Sequence, residues 1–201
     1  DADQAQMYLT FTPKYGHNHF DPLNLGLYAE GQELLPDIGY TYTRYRRLFN
    51  TTFAHNTVVV NSKDMTGAGQ GQHGGNVSVF APINEQVQVV QAEQRAAYPE
   101  TSQYSREPWF IGFEGADNNE GYVLDIFRIA GGERHEYTLN GDANRDAVME
   151  TDLPMAYYND YFYPEGTNVV EPETEYDRGS ADGQYYGYIL MEDVSRAEVE
   201  D

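Results

Sequence analysis

The chain has 201 residues, 40% of them hydrophobic, which is enough to bury one sizeable core. Its formal net charge of −21 argues against nucleic acid as a partner, because phosphate binding requires a basic surface. It contains no cysteine, so disulfide bonds are excluded, and no apolar run is long enough to cross a membrane as a helix.

In chain order, the predicted elements begin with one helix and continue as short strands. Leu25, Tyr28 and Leu35 approach helical spacing, which predicts a helix over residues 24–35. β-Branched or alternating residues then predict strands at 56–62, 76–82, 85–93, 121–132, 134–142 and 184–193. Segments rich in Gly, Asn and Pro separate these strands. The pattern predicts an all-β fold, an antiparallel β-sandwich with at most one or two short helices.

The C-terminal third has a different composition. Residues 155–166 are dense in aromatic side chains and form either a strand pair or the wall of a groove. Residues 165–183 are acidic and rich in Gly, Pro and Thr, which predicts a long loop. No linker or repeat divides the chain, so we expect a single β-sandwich domain over residues 1–201. Because the chain starts with Asp and ends without a closing element, we expect a processed piece of a larger, secreted or periplasmic protein.

Two of the five histidines stand one residue apart, in the segment GHNH. Alternate residues of a strand face the same side, so His17 and His19 would project together. Asp37 and His55 stand at predicted element boundaries, where side chains can converge. Imidazole is the commonest metal ligand in proteins, and a carboxylate can complete such a site. The residue types alone leave a metal site and a pair of exposed strand histidines equally open.

Longer motifs surround these residues. The chain contains G-H-x-H-x-D, then G-x-x-L-L-x-D-x-G, then H-N-T-V, and later the run VLDIFRIAGGERHEYTLNG at residues 123–141. Together, over residues 8–145, they resemble the heparinase II/III-like group of polysaccharide lyases. The resemblance implies an N-terminal toroid of helices followed by a supersandwich-like β-sandwich, and this chain is similar to the start of the sandwich only.

The resemblance also implies roles for single residues. His17 matches the histidine that takes part in catalysis, and His19, Asp37 and His55 match the ligands of a structural zinc ion. The expected partners are an acidic polysaccharide and either an N-terminal toroid domain or further copies of the chain. The expected reaction is β-elimination on a uronic-acid-containing polymer, with the toroid supplying the other half of the active site. One departure from the family pattern is Asn140, which stands where the family often has histidine.

Two other functions are compatible with the same residues. A non-catalytic carbohydrate-binding or structural extracellular β-domain could retain the zinc site without the reaction. A metal-dependent hydrolase would need an open zinc position and a nearby general base, for which Asp21 and Glu33 are the candidates.

Overall fold

The computed structural model describes residues 4–11, 19–39, 46–65, 75–84, 86–113, 120–162, 188 and 191–199. Within these ranges the chain forms eleven strands, one short α-helix and one turn of 3-10 helix. All the strand pairs are antiparallel. The predicted all-β class is therefore confirmed, and the strands are arranged in several sheets as in a β-sandwich. In the described part of the chain, no helix is long and apolar enough to cross a membrane.

The strands are arranged in four sheets, three of them small. The bounds are β1 Gln6–Leu9, β2 Leu25–Ala29, β3 Gln32–Leu35, α1 Arg46–Asn50, the 3-10 helix Thr52–Ala54, β4 Val58–Val60, β5 Gly75–Pro82, β6 Val87–Gln94, β7 Thr101–Gly112, β8 Gly121–Gly131, β9 His135–Tyr137, β10 Ala156–Tyr161 and β11 Glu192–Arg196. The sheets have the orders β1-β2-β3, β4-β9, β5-β6-β7-β8 and β10-β11.

The helix predicted over residues 24–35 is wrong, because the segment is the hairpin of β2 and β3. Glu30 and Gly31 form the connection and have φ values of 55° and 74°. A two-residue turn with positive φ at both positions matches the right-handed twist of paired strands. Gly26 and Gly31 also disfavour a helix by roughly 1 kcal/mol each relative to alanine. The leucines that suggested helical spacing are in fact divided between two strands.

Most of the predicted strands are present with shifted ends. Those at 56–62, 76–82, 85–93, 121–132 and 134–142 correspond to β4, β5, β6, β8 and β9. β7 was not predicted although it has 12 residues, because it carries polar side chains and Pro108. Residues 155–166 contain β10, and β11 begins at Glu192, near the end of the predicted strand 184–193. The predicted loop 165–183 lies outside the described residues.

The core lies between the four-stranded sheet and β4. Tyr104 on β7 and Val58 and Val60 on β4 are buried in one cluster, against which Phe127 and Ile129 of β8 pack. The Tyr104 hydroxyl donates a hydrogen bond of 2.5 Å to the Val58 carbonyl. Burying one large apolar side chain stabilises a fold by about 1.5–3 kcal/mol. This packing fixes β4 against the sheet and so fixes the segment immediately before β4, which contains His55.

Candidate metal centre

The structure brings three of the predicted site residues together. The ligand atoms of His19, Asp37 and His55 all lie within 4.8 Å of one another. His19 Nδ1 is 3.1 Å from His55 Nε2, and His55 Nε2 is 3.8 Å from Asp37 Oδ2. His19 lies in the loop before β2, Asp37 follows β3, and His55 follows the 3-10 helix. Three loops therefore converge on one point, and these side chains could hold a metal ion.

His19 does not lie in a strand, so the shared strand face considered for His17 and His19 does not apply to it. This residue lies in a loop that turns just afterwards, where the backbone N–H of Asn24 donates to the carbonyl of Asp21. A turn at this point allows the chain to enter β2 in the direction that pairs with β1. His17 lies outside the described residues, so its catalytic role stays a prediction.

The orientation of His55 leaves its Nε2 atom available as a ligand. His55 Nδ1 is 2.7 Å from the carbonyl oxygen of Thr51. A carbonyl can only accept a hydrogen bond, so Nδ1 carries the proton and Nε2 carries the lone pair of the neutral ring. Thr51 and His55 flank the 3-10 helix, and that single turn sets the distance between them. A backbone carbonyl that orients a metal-binding imidazole in this way is a common arrangement in proteins.

Asp37 is held from two sides. Asn24 Nδ2 donates to its Oδ2 atom at 3.0 Å, and the backbone N–H of Gly39 donates to its Oδ1 atom at 2.8 Å. The other end of the Asn24 amide, Oδ1, accepts the backbone N–H of Asn56 at 2.9 Å. Asn24 therefore ties the carboxylate to the residue that follows His55.

Asn56 joins the loops around the site. Its side-chain amide donates to the carbonyls of Leu25 and Pro36 at 3.1 and 3.0 Å, and its Oδ1 accepts the N–H of Asn140 at 2.7 Å. The side chains of Asn24 and Asn56 are fully buried. Sequence reasoning missed both roles, and the only signal was a pair of polar residues inside segments that otherwise appeared apolar.

Burial keeps both histidines neutral at neutral pH. It lowers the pKa of His55 to about 4, against the opposing effect of the Asp37 charge. It also lowers the pKa of His19. A neutral imidazole is the form that binds a metal ion, since protonation removes the lone pair. The nearby Asp21 has a pKa raised to about 6 by burial and by the charge of Asp37.

The alternative function, a metal-dependent hydrolase, needs a general base, and its two candidate residues differ in their surroundings. Asp21 is largely buried, and Glu33 is exposed on β3. Neither belongs to the group of side chains whose ligand atoms cluster with those of Asp37. The geometry of the described residues therefore adds no support to the hypothesis of a metal-dependent hydrolase.

Residues 1–140 match the sequence profile of the family described as "Heparinase II/III-like, C-terminal". The chain belongs to this family. All three converging residues lie inside the matched range, as do Asn24, Asn56 and Asn140.

Solved structures share the fold of this heparinase II/III-like domain. One is the heparinase III BT4657 gene product with methylated lysines, with a TM-score of 0.59, 18% identity and coverage of 84% of this chain. Another is the heparan sulfate lyase HepC from Pedobacter heparinus, with a TM-score of 0.55, 20% identity and coverage of 81%. The chain spans only 26% and 24% of their lengths. No curated protein sequence matches the chain significantly.

Proposed function

We propose that the chain is the sheet domain of a polysaccharide lyase that cleaves uronic-acid-containing polysaccharide by β-elimination, with a structural zinc ion on His19, Asp37 and His55. One observation carries the proposal. In a domain of the heparinase II/III-like family, three loops bring these ligand atoms within 4.8 Å of one another. The similar structures are a heparinase and a heparan sulfate lyase, which favours an acidic polysaccharide as the substrate class.

The donor set is compatible with zinc, which takes imidazole nitrogen and carboxylate oxygen in four-coordinate sites. Two nitrogen ligands about 2.0–2.1 Å from one tetrahedral ion lie about 3.4 Å apart. The distance between His19 Nδ1 and His55 Nε2 is 3.1 Å, which is close to that value. When bound, the ion would link three loops that lie next to different strands.

The proposed catalytic residue is His17, two positions before the ligand His19. As the base, it would take the proton from the carbon next to the uronate carboxylate. The electron pair of that C–H bond would form a double bond to the neighbouring carbon. The glycosidic C–O bond would break with its electrons on the departing oxygen, which then takes up a proton. Neutralising the carboxylate is a further requirement, and we assign it to groups outside this chain.

The partners and location that we propose follow from this chemistry. An N-terminal toroid domain, or further copies of the chain, would supply the other half of the site. A polysaccharide is too large to enter a cell unaided, which supports a secreted or periplasmic location. The net charge of −21 repels a uronate polymer, but this repulsion is screened beyond about 8 Å at physiological ionic strength. Binding would therefore depend on close contacts in the groove.

The test combines metal analysis with an assay for the new double bond, on the full-length protein. Heparan sulfate, hyaluronan, alginate and ulvan are the substrates, and the absorbance of the unsaturated uronate product is followed. The variants are His17→Ala and, as a matched control, His135→Ala. His135 is exposed, its Nε2 atom lies 2.8 Å from the Gly131 carbonyl oxygen, and it does not belong to the group of converging ligand atoms.

We expect bound zinc and a rise in absorbance on at least one polymer, lost in His17→Ala and kept in His135→Ala. Bound zinc without any product would instead favour the non-catalytic carbohydrate-binding or structural domain. Absence of zinc, with His19→Ala as stable as the wild type, would overturn the metal site itself.

A further inference from the structure

Arg106 of β7 is completely buried, and each of its five guanidinium N–H groups has an acceptor. Nε donates to Asp125 Oδ1 at 2.9 Å, and Nη2 donates to Asp125 Oδ2 at 2.8 Å and to the Tyr137 hydroxyl at 2.7 Å. Nη1 donates to the carbonyls of Leu23, at 2.6 Å, and of Asn56. An arginine has five such groups in a fixed plane, so its position is fully determined here.

The charge of Arg106 is balanced inside the protein. Asp125 of β8 pairs with it through both carboxylate oxygens, and the Tyr137 hydroxyl of β9 donates to Asp125 as well. A buried ion pair contributes little net stability compared with apolar side chains of the same volume. The main role of Arg106 is therefore not the ion pair but the two hydrogen bonds that its remaining nitrogen, Nη1, donates to backbone carbonyls.

Those two carbonyls belong to the loops that carry the candidate ligands. Leu23 stands four residues after His19, and Asn56 directly follows His55. A single nitrogen atom, Nη1, donates to both and so joins the two loops, in addition to the direct bonds that Asn24 and Asn56 make between them. The sheet is thereby connected to residues that are 83 and 50 positions away in the sequence.

Leu23 adopts a backbone conformation that needs such support. It is fully buried and has a φ of 64°, in the left-handed region that disfavours residues with a side chain. Strained residues of this kind persist where the surrounding contacts over-determine them, and they concentrate at functional sites. The bond from Arg106 is one of those contacts, and the next residue, Asn24, is the one that holds Asp37.

We propose that Arg106 is a positioning residue for the metal site, which holds the His19 and His55 loops at the spacing that their ligand atoms require. This inference rests on the proposed function in so far as the site binds zinc. Asp125 and Tyr137 fix the guanidinium, and the guanidinium fixes the loops. Arg106 touches none of the three ligand side chains in the contacts described, so its effect passes through the backbone.

The test uses Arg106→Lys, which keeps the positive charge beside Asp125 but cannot reach both oxygens of the carboxylate and both loop carbonyls at once. Arg128→Lys is the matched control. Arg128 lies on the neighbouring strand β8 and pairs with Glu107 at 2.8 Å, with its side chain 42% exposed. Both changes are arginine to lysine in an ion pair of the same sheet, and only one of them loses the contacts to the loops.

Two measurements are made on the full-length protein. The first is the ¹⁵N spectrum of the histidine rings in the metal-free state, which reports the position and tautomer of His19 and His55. The second is zinc affinity by competition with a chelator. We expect Arg106→Lys to shift both ring spectra and to weaken zinc binding by about 10–100-fold, the usual effect of losing an outer support of a metal ligand. Arg128→Lys should change neither.

Tyr137→Phe is a second, milder variant that removes one hydroxyl from the Arg106 cluster. We expect the same ring resonances to shift and a smaller loss of zinc affinity. If Arg106→Lys does not fold, Tyr137→Phe decides alone. Ring spectra indistinguishable from the wild type in a folded Arg106→Lys, or failing that in Tyr137→Phe, would overturn the positioning role. A wild type that binds no zinc would contradict the proposed metal site, while the metal-free spectra still decide on Arg106.

Discussion

His19 Nδ1 lies 3.1 Å from His55 Nε2, although 36 residues separate the two histidines in the chain. Asp37 completes the group from a third loop, and the Thr51 carbonyl fixes the ring of His55 so that Nε2 faces its neighbours. The contact is therefore the product of an arrangement of loops, and it can be tested through each of its supports.

Replacing His55 by alanine should abolish high-affinity zinc binding. The variant lacks one of the three proposed ligands, so we expect a larger drop in zinc affinity than the roughly 10–100-fold caused by loss of an outer hydrogen-bonding partner. Metal content and chelator competition measure the effect. His135→Ala removes an exposed histidine and should bind zinc as the wild type does. Equal zinc content in the two variants would refute the site.

The stability of the metal-free protein should depend on two opposing groups between about pH 4 and 6. His55 has a folded pKa of about 4, below its usual 6.5, so the unfolded chain takes up its proton first and stability is lost as pH falls from 6.5 towards 4. Asp21 has a folded pKa of about 6, above its usual 3.8. Its folded form takes up the proton first, so it adds stability as pH falls through the same range.

Asp21→Asn removes one of these opposing contributions. We expect its unfolding free energy, measured by urea denaturation with chelator present, to fall more steeply than that of the wild type between pH 6 and 4. The extra slope should approach about 1.4 kcal/mol per pH unit, the value for one proton. Asp146→Asn makes the same charge change at an exposed position and serves as the control. Identical slopes for the wild type and Asp21→Asn would contradict the prediction.

Asn24→Ala should weaken both the fold and the metal site. The change leaves Asp37 Oδ2 and the Asn56 N–H without the partners they now have. Each buried polar group left unsatisfied costs about 1–3 kcal/mol, which thermal or urea unfolding will measure. Zinc affinity should fall by about 10–100-fold. Asn144→Ala, in an exposed turn, is the control, and a variant of Asn24 that matches it in both measurements would show that the amide has no such role.

Gly131→Ala should destabilise the end of β8. Gly131 has a φ of 107°, and an added Cβ would lie 2.2 Å from the backbone carbonyl oxygen of Glu100. Backbone atoms cannot move aside as a side chain would, so we expect a loss of about 2 kcal/mol or more in unfolding free energy. Gly141→Ala meets no atom within 4 Å and should be close to neutral. Equal stability of the two variants would contradict this reading of the clash.

Local sequence patterns predicted those strands that consist of β-branched residues or of alternating residues. The β-branched run of β4 and the alternation in β6 depend only on neighbours in the chain. β7 was missed because Arg106 occupies an inward-facing position that alternation assigns to an apolar residue. The hairpin of β2 and β3 was misread because leucines in two strands coincided with helical spacing, while the Glu30–Gly31 turn determined the structure.

The candidate site, too, could be predicted from the sequence only in part. Its residue types and order came from motifs that resemble a family, and the convergence of His19, Asp37 and His55 agrees with that expectation. The residues that support the site could not be predicted from the sequence, since no local pattern links Arg106 to Leu23 across 83 residues. Hydrogen bonds of that span depend on how sheets and loops pack, which spacing along the chain does not encode.

The two bonds from Arg106 also imply an order in time. A protein is made from its N-terminus, so His19, Asp37 and His55 all leave the ribosome before Arg106 has been added to the chain. Closing contacts across 50 and 83 residues is also entropically slow, and it waits for β7 and β8 to pair. An ion that meets the nascent chain therefore finds all three proposed ligands present before the two contacts from Arg106 to their loops can form. We therefore expect the proposed metal site to reach its final geometry late in folding, once β7 and β8 have paired and Arg106 has bonded both loops.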